Sequence, residues 1–277
     1  MNRSSRGARL LGHLVLCLGG LFFLVPFAWM IRVSLTPEWQ LASGLKLLYE
    51  WKDLAFANYP KALTLQPFWL YFLNTYLVTI LALAGEVFVS ALVAYGFARF
   101  AFRGREALFL LVLSTMMIPP QVTMVPTFIL FRWLGWIDTF LPLIVPSWAG
   151  SAFGIFLARQ FVRGLPRDLD SAALIDGCGP FEVFRHVILP LLKPALMVIA
   201  VFGFIGRWND LLTPLIYLNT QAKFTISLGL LAFQGQYSTQ LGYLMAVSVT
   251  AMIPCIVLFL VAQDYFIKGL TLGAVKG

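Results

Sequence analysis

FLNTYLVTILALAGEVFVSALVA, residues 72–94, decides the fold: it runs 23 residues with one ionisable side chain, Glu86. A helix rises 1.5 Å per residue and a bilayer's hydrocarbon core is about 30 Å thick, so such a stretch crosses it with little to spare. Working outward, the same reading predicts further crossings at residues 10–31, 107–131, 139–158, 194–218 and 242–263. The 277-residue composition agrees, with 60% hydrophobic and 12% charged residues, where a soluble domain carries roughly a quarter charged. The expected class is therefore all-α and polytopic, with six transmembrane helices. Prolines inside or at the edges of these stretches, among them Pro26, Pro119, Pro120, Pro126, Pro142, Pro146, Pro214 and Pro254, each remove or displace a helical hydrogen bond and predict bends.

An even number of crossings puts both termini on one side, and basic residues choose the side. With the amino terminus inside, the inner segments hold Arg3, Arg6, Arg9, Arg99, Arg103, Arg105, Arg159, Arg163, Arg167, Arg185, Lys193, Lys268 and Lys276. The outer ones hold only Arg32, Lys46, Lys52, Lys61, Arg132 and Lys223. Both termini are expected in the cytoplasm. The net charge of +8 is thus an orientation signal and not a nucleic-acid patch. The outer segment 36–71 carries Trp39, Tyr49, Trp51, Tyr59, Trp69 and Tyr71, an expected belt of rings at the membrane surface. Cys17, Cys178 and Cys255 lie far apart and are read as free thiols, while His13 and His186 lack partners at metal or catalytic spacing. No cofactor or metal is expected in this chain, and no G-x-x-x-x-G-K-[ST] phosphate loop occurs in it. A membrane enzyme would need a nucleophile and base or a metal cluster, which the sequence does not offer. A self-sufficient secondary transporter would usually need more crossings or a visible repeat.

Between the fourth and fifth crossings lies GLPRDLDSAALIDGCGPFEVFRHVILPLLKP, residues 164–194. Pro166 suits a first helical position, Asp168 and Asp170 favour a helix amino end, and Gly177 is placed to stop the helix after about 11 residues in a left-handed conformation. Pro180 opens a second helix that Pro190 would end or bend. Leu169, Ala172, Ala173 and Asp176 recur at helical spacing on the first, and Phe181, Phe184 and Ile188 on the second. Helices this short need a partner surface. It is either the inner ends of their own spans or another subunit.

This segment resembles the EAA loop of permease subunits from binding-protein-dependent ABC importers. Ala172, Ala173, Asp176 and Gly177 match its first part, and Leu189, Pro190 and Pro194 its second. Two positions depart: Ser171 stands where Glu is usual, and Cys178 where Ala is usual. Asp170 lies about 100° away around the helix from the missing carboxylate. Four further blocks, at residues 74–100, 116–130, 206–218 and 263–277, are similar to the carbohydrate importers of the maltose-system inner-subunit type. The resemblance implies a single permease domain over 1–277, with a core at 70–266 and the coupling loop at 164–194. It implies half of a sugar pathway, paired as a heterodimer with a second permease subunit and seated on two ATPase subunits that bind ATP and Mg. An extracytoplasmic binding protein would deliver the sugar. The coupling residues would be Ala172, Ala173, Asp176, Gly177, Phe181, Phe184, Leu189 and Pro190, and the tail from Lys268 would extend toward the ATPases. The same architecture would also serve a polyol or glycerol phosphate.

Three ionisable residues fall inside spans, Glu86, Arg207 and Asp210, each costing roughly 2.5–3.5 kcal/mol or more unless paired or watered. Arg207 and Asp210 stand at i, i+3 and are expected to pair. Alternatively Arg207, Trp208, Asn209 and Asp210 line the path, with the Trp208 ring as a platform for a sugar. Glu86 has two readings, a bond to a neighbouring helix or a pair with Arg207.

Overall fold

The computed structural model describes residues 6–42, 54–233 and 240–274. Among them the regular structure is helical. Four helices are long and apolar enough to cross a membrane: Leu10–Ser34, Phe68–Arg99, Leu141–Gly164 and Leu241–Gln263. Two more candidates are bent pairs, Arg105–Met117 with Pro120–Trp133 at 97° and Pro180–Leu191 with Lys193–Trp208 at 73°. Six crossings result if each pair counts once.

The bends follow from proline. Pro119 is extended and Pro120 starts a new helix, because a residue before proline is pushed out of the helical region. The fifth crossing differs from the sequence expectation. Its helix ends at Trp208, and a separate short helix runs Leu212–Tyr217. Asp210 sits at this break and its Oδ1 accepts the Thr213 amide at 3.1 Å, which caps the new helix.

The chain forms two compact units, one of residues 1–67 and 230–253 and the other of 68–229 and 254–277. In the first, Asn58 Nδ2 donates to the carbonyls of Ser34 and Thr36, both at 2.9 Å. The Tyr59 hydroxyl lies 2.8 Å from Ser34 Oγ, and Glu38 Oε1 accepts the Tyr243 amide at 3.1 Å. Of the expected ring belt, Trp39 and Trp69 are exposed, but Tyr71 is fully buried. Its ring packs edge-on against Phe68, because the second span begins at Phe68 and takes Tyr71 into its first turn. Tyr49 and Trp51 lie outside the described residues.

The second unit is organised on the second span, Phe68–Arg99. Near one end Asn74 Nδ2 donates to the carbonyls of Ala222 and Phe224, and Thr75 Oγ1 accepts the Ile226 amide. Near the middle, Ser90 Oγ accepts the Ser151 amide at 3.2 Å. Gly154 packs so closely here that a Cβ would stand 2.8 Å from Ser90 Oγ. The fourth crossing is interrupted at this level by a 3-10 segment, Val145–Ala149, and by Gly150 at φ +77°. Near the other end Ala91, Ala94, Tyr95 and Ala98 form one apolar cluster with Ala158, Val162 and the hairpin.

The tail is also a difference. A flexible end from Lys268 is the sequence expectation, but the backbone is helical to Ala274. Extending an existing helix needs no new nucleus, so Gly269 and Gly273 do not stop it. Residues 275–277 lie outside the described residues.

Candidate functional site: the hairpin and the mid-span cavity

The hairpin's first helix is Asp168–Ile175, 8 residues and shorter than expected. Gly177 takes φ +87°. Its amide donates to the Leu174 carbonyl at 3.1 Å and the Cys178 amide to the Ala173 carbonyl at 3.0 Å, so the helix closes as a glycine-capped turn. Glu182 Oε2 accepts the Gly179 amide at 2.7 Å and starts the second arm. Pro190 does not end that arm. The chain passes through one π-turn, Phe184–Ile188, continues through Leu189–Leu191, and bends only at Leu192, before the helix that starts at Lys193.

The arms divide their apolar residues between two surfaces. Ala173, Val183, Phe184 and Ile188 are buried against one end of the chain's own spans, with Leu189 packed partly against them. Leu169, Ala172, Leu174, Ile175, Asp176, Phe181 and Pro190 remain exposed, with Ile175 at 86% of its full accessibility. Packing on the chain's own spans thus accounts for one face of the hairpin, and the other face is exposed. The second-arm face is split, because Phe181 lies outside while Phe184 and Ile188 lie inside. Asp170 turns inward to Arg99, 2.8 Å away, so it does not replace the missing carboxylate at Ser171 on the exposed side. Ser171 Oγ instead donates to the Arg167 carbonyl.

The second feature lies midway along the spans. Glu86, 7% exposed, approaches Arg207 of the fifth crossing to 2.6 Å. Arg207 also donates to Ser147 Oγ and to the Gly203 carbonyl, both at 3.0 Å. Gly203 makes the approach possible, since a Cβ there would lie 2.9 Å from both Glu86 Oε2 and Arg207 Nη1. The expected Arg207–Asp210 pair is thus replaced by an interhelical one. The break after Trp208 carries Asp210 to a capping role, and the guanidinium turns to the more deeply buried carboxylate, where pairing removes the larger cost.

Beside this pair is a cavity of about 320 Å³, lined by Thr75, Thr79, Glu86, Ser147, Arg207, Asp210, Thr213 and Thr225 among others. The hydroxyls of Thr79 and Thr225 are buried without a hydrogen-bond partner among the described residues. A second cavity of about 420 Å³ shares Pro142, Pro146, Asp210 and Thr213 with the first and adds Gln121, Met124, Thr127 and Tyr217. Unpartnered hydroxyls and charged groups on cavity walls suit water or a hydroxyl-rich solute.

Two path residues expected from sequence are placed elsewhere. Trp208 is 3% exposed, stacked on Phe204 at 5.2 Å between centroids and edge-on to Tyr76 at 4.8 Å, so its ring offers no open platform in this structure. Asn209 Nδ2 donates to the Ile205 carbonyl at the helix end, and Asn209 lines neither cavity. Sequence reasoning missed the role of Arg159, counted there only among the basic residues of the inner segments. It is buried with Nη2 2.7 and 2.8 Å from the two Glu106 oxygens and its guanidinium 3.9 Å over the Phe109 ring. It also missed Asp138, whose carboxylate accepts the Asn219 and Thr220 amides, the Thr220 hydroxyl and Lys223 Nζ. Its one signal is an acid that tolerates positive φ, here +58°. Among the described residues no cluster of His, Cys, Asp or Glu is suited to a metal ion.

Residues 86–272 match a family described as binding-protein-dependent transport system inner membrane component. The chain is 36% identical over 259 residues to the arabinooligosaccharides transport system permease protein AraQ of Bacillus subtilis, covering 93% of this chain and 92% of that protein. It is 31% identical to the melibiose/raffinose/stachyose import permease protein MelC of the same organism, covering 99% and 98%. Identity is also 31% with the diacetylchitobiose uptake system permease protein DasC of Streptomyces coelicolor, covering 93% of each chain. A chain from the crystal structure of a bacterial ABC transporter involved in the import of the acidic polysaccharide alginate superposes with a TM-score of 0.79. That chain is 25% identical, over 96% of this chain and 100% of its own length.

Proposed function

Because the chain belongs to the binding-protein-dependent transport system inner membrane components, a multi-pass permease family, we propose that the solute it passes is a sugar and that its hairpin is the ATPase docking element. The solute class rests on relatives named for arabinooligosaccharides, melibiose, raffinose, stachyose and diacetylchitobiose. None of these names favours a polyol or glycerol phosphate.

In this reading residues 1–277 are one permease domain with its core at 70–266. The chain pairs with a second, different permease subunit, stands on two ATPase subunits that hold ATP and Mg, and accepts sugar from an extracytoplasmic binding protein. Both termini lie in the cytoplasm, as the basic residues indicate. Its own contribution is mechanical: hairpin displacement driven by ATPase closure exchanges inward-open and outward-open cavities. Glu86, Arg207 and Asp210 line the path, while Trp208 and Asn209 hold its wall.

The observation that carries the docking assignment is the division of the hairpin. Its buried residues fasten it to its own spans, while Leu174, Ile175 and Phe181 stay uncovered at the tip. The test is copurification followed by uptake in reconstituted vesicles. The wild-type chain should bring down an ATPase and a second permease and take up a labelled oligosaccharide in preference to glycerol phosphate. A chain that transports alone, or a complex that prefers glycerol phosphate, overturns the corresponding part. Removing the last eight residues should leave assembly intact and lower uptake per ATP hydrolysed. Unchanged coupling would make the tail dispensable.

A further inference from the structure

One end of the second span makes three polar attachments to the hairpin, one ion pair and two hydrogen bonds. Arg99 Nε lies 2.8 Å from Asp170 Oδ2, on the first arm. Arg99 Nη2 donates to the Leu165 carbonyl, on the segment leading into that arm, at 3.2 Å. The Tyr95 hydroxyl donates to the Pro180 carbonyl, where the second arm begins, at 3.1 Å. Tyr95 and Arg99 are four apart and share a helix face. A single turn therefore holds both arms, one on each side of the Gly177 turn.

The ion pair is largely shielded, with side chains 8% and 17% exposed, so salt screens it less than a surface pair. Its role differs from that of the apolar cluster beneath it. Packing such as Tyr95 on Phe184, 5.3 Å between centroids, resists separation but is non-directional. The Arg99 guanidinium donates a hydrogen bond to the Leu165 carbonyl and stands as an ion pair, without a hydrogen bond from Nε, beside the Asp170 carboxylate, so two contacts from one side chain limit how the first arm can rotate about its own axis. Asp170 is intermediate in exposure while Ser171 beside it is exposed, so the acidic side chain of this pair of positions faces the chain's own span.

We propose that Arg99 and Asp170 are positioning residues that lock the hairpin's first arm to the second span, so that motion imposed on the hairpin is delivered to the helix that carries Glu86. The proposal rests on the permease reading above. In it the pair transmits force and is not itself the docking surface.

The test uses the full importer in vesicles and reads two quantities, ATPase retained on the permease and sugar taken up per ATP hydrolysed. Arg99→Gln and Asp170→Asn should retain the ATPase yet lower uptake per ATP at least about fivefold, the lower end of ordinary coupling between sites. Arg99→Lys should recover most of the loss. The charge exchange Arg99→Asp with Asp170→Arg should couple better than either reversal alone. If the reversals fail to insert, the contrast between Arg99→Lys and Arg99→Gln decides the question alone. A merely structural pair would lower the amount of complex and leave the ratio unchanged. That result, or equal coupling by the Lys and Gln variants, overturns the linkage. Wild-type protein that retains no ATPase instead overturns the permease reading itself.

Discussion

The hairpin end and the mid-span cavity of this protein are each built on an arginine–carboxylate pair that ties the second span to another element, and the two pairs answer different physical demands. At the hairpin, Arg99 and Asp170 sit at the edge of an apolar cluster that already holds the arms in place. The charges add direction. In mid-span, Glu86 and Arg207 are a condition for the helices to share an apolar interior at all, because neither is tolerable there alone. Removing one partner should therefore alter coupling at the hairpin and stability at the cavity.

The largest effect is expected where the charge has the least water. Glu86→Leu leaves Arg207 beside Ser147 with no carboxylate, and Arg207→Met leaves Glu86 buried and alone. Each should destabilise the protein by about 3–5 kcal/mol, whereas the double substitution should recover most of that loss. Denaturant unfolding in micelles measures all three. Two single variants as stable as the wild type would mean that water from the 320 Å³ cavity already solvates both charges.

At the hairpin the corresponding weak point is conformational. Gly177 has φ +87° and open space around its missing Cβ, so a Cβ there meets no neighbour and Gly177→Val is opposed chiefly by backbone strain, about 1–3 kcal/mol. Gly177→Asn should be tolerated, since Asn enters the left-handed region readily. The Val variant should lose ATPase in copurification while remaining inserted, and the Asn variant should keep it. Equal retention by both would detach the turn from docking.

These two sites also differ in how far they could be read from residues alone. The Gly177 turn is local: Asp168, Asp170, Gly177 and Pro180 bracket it within a dozen positions, and each acts on its own backbone. The six apolar stretches are legible for the same reason, since length against bilayer thickness needs no partner. The partner of Arg207 was not legible. Asp210 is three residues away and Glu86 is in another span, and spacing on one helix says nothing of how that helix is rotated against its neighbour. The same gap hid Arg159, counted from sequence only among the basic residues of the inner segments, whose side chain is folded back over Phe109 to Glu106. The surroundings of Trp208 were equally out of reach, because a ring next to polar residues looks like a platform in sequence, whereas here Tyr76 and Phe204 pack against it.

The smallest effect is expected at a third carboxylate, outside the spans, and it sharpens the contrast by having neither a membrane interior nor a lever arm around it. Asp138 lies between the third and fourth crossings and ties that connection to the segment after Tyr217 through Lys223, the Thr220 hydroxyl and amide, and the Asn219 amide. These donors hold its carboxyl well below the ordinary aspartate value of 3.8, the Lys223 bond contributing most. A folded-state value below the unfolded one means that the clamp's contribution is fully present above about pH 4. It is lost only as pH falls toward the folded value, where the native carboxylate must also take a proton. The difference in thermal midpoint between wild type and Asp138→Asn should therefore stay constant from pH 7 to about pH 4 and narrow below it. Asn keeps one acceptor oxygen and tolerates φ +58°, so the comparison isolates the charge. A difference that already narrows between pH 7 and 5 would show that the carboxylate is not held by these donors in the membrane-embedded protein.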